Sequence, residues 1–229
     1  MDPDTQGAAI VLAAGAGRRL GAEIPKALLP IGDRPMLAVA AAAAAASPAI
    51  AAIVVAAPAG YEDAVIACLE GLPVPATVVV GGATRQASVR AALAVLDGPE
   101  IVAIHDAARP FAPPDLFTEV VRAVASGADG AIPVVAMTDT VKRLDGLRVV
   151  DTVPRDDLGL AQTPQAFRVE ALRRAHEQAT HAGYSVTDDA MLLERVGSVV
   201  AVPGDPRNFK ITSMLDLARA EARIGGTDV

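Results

Sequence analysis

From Ile10 to Val135 the chain keeps returning to one unit, an uncharged apolar run followed by a helix-length amphipathic segment. The runs beginning at Ile10 and covering Ile50–Ala57, Ala76–Val80, Ile101–His105 and Ala131–Val135 carry no Asp, Glu, Lys or Arg. All read as strands, the first two as strands buried on both faces. Between them, Thr84–Leu96 sets Val89, Leu93 and Leu96 on one face, and Pro114–Ala125 sets Leu116, Val120 and Val124 at i, i+4, i+8. Tyr61–Glu70 reads as a further helix, and another runs from Met36 through the unbroken alanines 40–46, opened by Pro35 and stopped by Ser47-Pro48. Strands that alternate with helices need crossover connections, so the chain should form an α/β three-layer sandwich with a mostly parallel sheet. Such sheets bind ligands beyond the carboxyl ends of their strands. Chemistry-bearing residues should therefore follow strand ends.

They do. After the first strand comes Ala13-Ala14-Gly15-Ala16-Gly17-Arg18-Arg19-Leu20, closed by Pro25-Lys26. Small residues let backbone N–H groups approach a ligand, and the cations that follow make the loop a phosphate cradle. It is not a Walker A loop, and Leu20 stands where a dinucleotide fingerprint needs its third small residue. A tight turn with solvated arginines is the plainer alternative. After the third strand, Gly81-Gly82-Ala83-Thr84 leads into a helix whose first turn carries Arg85 and Ser88 on one face. A capped turn accounts for the glycines and Thr84 but not for that pair. After the fourth strand, His105-Asp106-Ala107-Ala108-Arg109 puts Asp106 where Mg²⁺ on a polyphosphate would find a carboxylate. The competing reading is a local Asp106–Arg109 ion pair. His105 reads as a hydrogen-bonded strand-end histidine rather than a metal ligand.

The rhythm then breaks. Thr138–Leu144 and Leu147–Val153 flank Asp145-Gly146, a strong hairpin signal. An isolated hairpin is marginal in water, so an arm over 138–158 should complete a dimer or fold back on its own domain. Ala161–Gln165 reads as a polar turn before a Val169–Gln178 helix. Val186–Ala190 reads as a capped helix start, with acid in its first turn. His176 and His181 do not share a helix face and read as surface residues. Val199–Val202 should be a short strand. Thr212-Ser213 should cap a closing Met214–Arg223 helix, and Lys210 is a lone charge among apolar neighbours.

Composition narrows the class. With 52% hydrophobic and 21% charged residues among 229, the chain can bury one sizeable core. A single domain over 8–223 with short flexible tails, 1–7 and 224–229, follows. The net charge of −7 excludes a nucleic-acid coat while leaving room for a local cationic cluster. The single cysteine, Cys68, excludes an internal disulfide and reads as a buried thiol. The acidic first residues lack a signal-peptide pattern, and the longest apolar tract, Met36–Ala46, is too short for a membrane span. A cytoplasmic protein without membrane partners is expected.

The set AAGAGRRL…PK, GGATRQASV, HDAARP, DTVKR, AQTPQAF, TDDA and NFKIT, in this order, resembles the cytidylyltransferases of the methylerythritol phosphate route to isoprenoids. The resemblance spans Ala8 to Arg223. It implies a Rossmann-like fold with a dimerising β-arm, and transfer of CMP from CTP to a polyol phosphate with Mg²⁺. It also implies roles. Ala13, Ala14, Gly15, Gly17, Gly81, Gly82, Ser88 and Ala107 would hold the nucleotide, with Arg85 in support. Arg19, Lys26 and Lys210 would be catalytic, and Asp106 would sit by the metal and ribose. Arg109, Thr163, Thr187, Lys210 and Asp106 would frame the acceptor phosphate, with Thr140 and Arg155 arriving from the second subunit. A ribitol 5-phosphate cytidylyltransferase and a non-catalytic nucleotide-binding module are the alternatives. A redox dinucleotide enzyme is remote, because residues 31–53 offer only Asp33 as an acidic ribose partner. Two departures from the family pattern stand out. Ala27-Leu28-Leu29 follows Pro25-Lys26 where an aromatic or polar residue is common, and the usual acidic residue is missing from Gly82-Ala83-Thr84-Arg85.

Overall fold

A computed structural model describes residues 5–15 and 24–226 of the chain. Its first strand, β1 (Gly7–Leu12), leads through a single 3₁₀ turn at Lys26–Leu28 to the two-residue strands β2 (Pro30–Ile31) and β3 (Arg34–Pro35). Then follow α1 (Met36–Ala45), β4 (Ile50–Ala57), α2 (Glu62–Cys68), β5 (Ala76–Val80), α3 (Arg85–Val95), β6 (Ile101–Asp106), α4 (Pro114–Ala125) and β7 (Gly130–Ala136). The arm is β8 (Val141–Asp145) with β9 (Arg148–Val153). The remainder is β10 (Gly159–Ala161), β11 (Gln165–Arg168), α5 (Val169–His181), α6 (Ala190–Leu193), β12 (Val199–Pro203) and α7 (Met214–Ile224).

The main sheet has eight strands in the order β10-β7-β11-β6-β1-β4-β5, with β12 beside β7. β1 pairs in parallel with both β4 and β6, and β4 with β5. The expected parallel sheet is therefore present at its centre. Its antiparallel part is β10 and β11, which flank residues 162–164 of the expected polar turn. β11 is wedged between β6 and β7, so the segment is a strand running straight into α5.

Strand alternation divides the core. Ala9 and Val11 of β1 face a layer with Leu37 of α1 and Phe117, Val120 and Val124 of α4. Ala8 and Ile10 face the other layer, with Val89 and Leu93 of α3, Leu172 of α5 and Leu193 of α6. Helix α1 is buried around most of its surface, because alanines let it lie close to both β4 and α4. Each large side chain buried in these layers contributes about 1.5–3 kcal/mol. Cys68 is only half-buried; its thiol pKa is raised by that burial, which leaves it an inert group. Among the described residues no helix is long and apolar enough to cross a membrane.

A third, smaller cluster positions part of the site. Ile31, Met36, Ile211 and Ala220 are buried together beneath Phe111 and Phe209, whose rings lie 5.6 Å apart. Arg219 stacks over Phe209 and Arg223 over Phe111, so α7 clamps the segment that carries Lys210. Ser213 caps α7 as expected, in a reciprocal capping box with Asp216.

Candidate active site

The carboxyl ends of β1 and β6 and the start of α3 surround a cavity of about 380 Å³. Ala13, Ala14 and Gly15 line one wall, and Gly82, Arg85 and Ser88 another. Lys26, Asp106, Ala107 and Lys210 complete it. Backbone geometry fixes these walls. The Ala13 N–H donates to Ala56, the Gly81 N–H to Ala57 and the Ala107 N–H to Leu12, extending the ladders past the strand ends. A Cβ at Gly81 would fall 2.4 Å from that of Ala14, and one at Gly82 would fall 2.4 Å from that of Ala87. Only glycine allows the two loops to approach this closely. Gly81 itself lines an adjoining cavity of about 460 Å³, shared with Ala14, Gly15 and Tyr61.

Ser88 is buried, and its hydroxyl donates to the Thr84 carbonyl at 3.0 Å while accepting the Gly82 N–H at 3.1 Å. Thr84 caps α3, as read from the sequence, by accepting from the Ala87 N–H. Lys26 donates to the Ile211 carbonyl. The two lysines thus converge from opposite ends of the chain.

Asp106 pairs with Lys210 at 2.6 Å and with Arg85 at 3.6 Å. Burial alone would raise its pKa. The Lys210 ammonium, then the Arg85 guanidinium, more than offset this and hold the carboxyl at about 2. The proposed Asp106–Arg109 pair is not formed. Arg109 instead donates to the Asn208 carbonyl at 2.7 Å and the Ala161 carbonyl at 3.3 Å. Nor is Lys210 an isolated snorkelling stem, since its charge meets Asp106.

His105 is fully buried, and burial lowers its pKa to about 4. Its Nε2 lies 3.0 Å from the Arg109 carbonyl, which can only accept, so Nε2 carries the proton. Nδ1 is then left to accept from the Thr163 hydroxyl, and that hydroxyl accepts the Asp106 N–H at 3.1 Å. Thr163, expected to frame the acceptor phosphate, is thus set between His105 and Asp106. The residue is 6% exposed and its hydroxyl is taken up in placing Asp106.

Thr187, Thr140 and Arg155 are not among the residues that line the cavity. Thr187 is exposed, its hydroxyl 3.6 Å from the Met191 sulfur. Thr140 and Arg155 are exposed at the base of the arm, where Arg155 donates to the Thr138 carbonyl. Gly17 and Arg19 lie outside the described residues. His176 is a correction: it is 2% exposed and buried against α6, not on the surface. Asp189, expected to be an acid of a capped helix start, is instead a wholly buried carboxylate that binds Arg85 and makes no cap bond.

The model of the 2-C-methyl-D-erythritol 4-phosphate cytidylyltransferase family matches residues 8–225. The chain belongs to this family. A cytidylyltransferase of that name from Saccharopolyspora erythraea is 46% identical over 220 residues, covering 93% of this chain and 97% of the relative. One from Frankia casuarinae is 47% identical over 224 residues, covering 96% and 82%. Among solved structures, the 2-C-methyl-D-erythritol 4-phosphate cytidylyltransferase of Thermus thermophilus superposes with a TM-score of 0.80 at 36% identity. That match covers 95% of this chain and 98% of the other. The 4-diphosphocytidyl-2C-methyl-D-erythritol synthase of Anaerococcus prevotii gives 0.85 at 30% identity, covering 97% and 99%. Both matches span nearly the full length of each chain.

Proposed function

We propose that this cavity transfers CMP from CTP to 2-C-methyl-D-erythritol 4-phosphate, giving 4-diphosphocytidyl-2-C-methyl-D-erythritol and pyrophosphate. The observation that carries the reading is the convergence of Lys26, Lys210, Arg85 and Asp106 on one glycine-walled cavity, in a chain of this family. An oxygen of the acceptor phosphate attacks the α-phosphorus of CTP in line, and the bond to the β-phosphate oxygen breaks. The nucleophile is already ionised, so no strong base is required. Catalysis then rests on positioning two anions and quenching their charge. Lys26, Lys210 and Arg19 do this work, and the walls formed by Ala13–Gly15 and Gly81–Ser88 hold the nucleotide. Arg109 and Thr187 would frame the acceptor phosphate beside it.

Mg²⁺ fits the donor set. Among the described residues there is no cluster of three metal-ligating side chains, and Asp106, paired with Lys210 and Arg85, is the carboxylate lining the cavity. One carboxylate suits an ion that keeps its waters and takes the rest of its ligands from triphosphate oxygens. When bound it would neutralise charge on the leaving pyrophosphate. Asp106 would hold it, and the family identity supports CTP as the donor.

The arm supports a homodimer. Leu144, Leu147, Val149 and Val150 are exposed on a two-stranded sheet that stands apart from the main one. In that assembly Thr140 and Arg155 would enter the second subunit's site. The test is pyrophosphate release from CTP with the methylerythritol phosphate and, in parallel, ribitol 5-phosphate. Preference for the first is expected. Preference for ribitol 5-phosphate would overturn the acceptor, and release with neither would favour a non-catalytic nucleotide-binding module.

A further inference from the structure

Asp189 precedes α6, where a first-turn acid would be expected to cap the helix, yet its side chain makes no cap bond. Asp188 serves the helix instead, accepting from the Ala190 N–H at 2.7 Å while its other oxygen takes the Gln165 amide at 2.8 Å. The Asp189 carboxylate turns inward and is wholly buried. One of its oxygens receives the Arg85 guanidinium, and the other has no hydrogen-bond partner. The imidazole of His176 is 3.7 Å away but supplies no charge, because burial holds its pKa at about 4.

As a stabilising device this is a poor arrangement. A buried ion pair often does no better than apolar packing, and here half of the carboxylate's acceptor capacity is unused. Its consequence is geometrical. Arg85 leaves the first turn of α3 with one guanidinium nitrogen on Asp189 and Nε 3.6 Å from Asp106. Asp106 meets Lys210 at 2.6 Å. The row Asp189, Arg85, Asp106, Lys210 therefore alternates in sign from the core to the cavity. Without Asp189, all five donors of Arg85 would be free to fold onto Asp106 and displace Lys210 from it.

We propose that Asp189 is a positioning residue for the nucleotide cavity, anchoring Arg85 so that Asp106 stays shared between Arg85 and Lys210. This rests on the reading of that cavity as the CTP site. Asp189→Asn removes the charge with little change of volume. The expected result is a roughly 10- to 100-fold loss in kcat/KM for CTP, the usual penalty for removing a group that orients a binding residue. The loss falls on the KM for CTP, and the KM for the acceptor phosphate is unchanged.

A double-mutant cycle decides whether the effect runs through Arg85. In an Arg85→Gln background, Asp189→Asn should cost nothing further. A second full loss in that background would overturn the proposal, as would unchanged CTP kinetics in Asp189→Asn alone. Should that variant fail to fold, Arg85→Lys keeps a cation beside Asp189 but cannot reach both carboxylates, and it must show the same loss in CTP KM. Wild-type kinetics in Arg85→Lys would overturn the assignment. A wild-type protein releasing no pyrophosphate from CTP would instead overturn the nucleotide reading, and with it this one.

Discussion

Lys26 lines the cavity and donates to the Ile211 carbonyl, which places an ammonium group where an arriving phosphate would meet it. Lys26→Ala should lower turnover by about 10²–10³, the cost of one transition-state donor, with the thermal midpoint close to wild type. Steady-state pyrophosphate release and a melting curve check this, and near-normal turnover would remove Lys26 from the chemistry. Gly81→Ala acts differently. Its new methyl would lie 2.4 Å from the Ala14 Cβ, so one loop must retreat at roughly 1–3 kcal/mol. Weaker CTP binding by calorimetry, with kcat less affected than KM, is the expected outcome. At this scale the sequence showed which residues gather at the strand ends, because strand-end position is legible from pattern. It did not show what each hydroxyl or carboxylate touches. Thr163 stands in a polar turn in the string, and only the fold sets its hydroxyl between His105 and Asp106. His176 looks polar and superficial, yet α6 folds over it.

The elements repeat that division. Long periodic segments such as α4 and the runs of β4 and β6 were legible, since one face or both must be apolar to build the layers. β11 was not. Four residues from Gln165 to Arg168, with polar ends, carry no usable period, and only their insertion between β6 and β7 makes them a strand. The arm was legible because Gly146, with φ +56, supplies the tight turn that two alternating flanks require. Its exposed face gives an element-scale prediction. Leu147 is fully exposed and Val149 58% exposed, more apolar surface than an isolated hairpin tolerates. For the homodimer proposed above, Leu147→Asp with Val149→Asp should give a monomer in sedimentation, with activity falling because Thr140 and Arg155 would no longer reach a second subunit's site. A dimer of unchanged affinity would mean that the arm packs elsewhere.

The whole molecule answers to acid through groups that lie inside it. His105 and His176 are both buried and have pKa values lowered from 6.5 to about 4. Unfolding at pH 5 therefore lets each take up a proton that the folded state refuses. Their contribution to stability is complete above pH 6.5 and is lost as the pH falls towards 4. Asp189 works in the opposite direction. Burial raises its pKa from 3.8 to about 6, against the pull of Arg85, so the folded chain holds a proton there that the unfolded chain releases. Between pH 6 and 4 this offsets one of the two histidines. Each group carries on the order of 3 kcal/mol at most. Urea midpoints at pH 7 and pH 4.5 should consequently fall moderately in the wild type and less in His176→Gln. In Asp189→Asn they should fall more steeply than in the wild type, because both histidines are then uncompensated. The order of the three slopes is the test. A variant lacking Asp189 that met acid as gently as the wild type would show that this carboxyl titrates at its ordinary value, and that the charge beside Arg85 persists through the acid range.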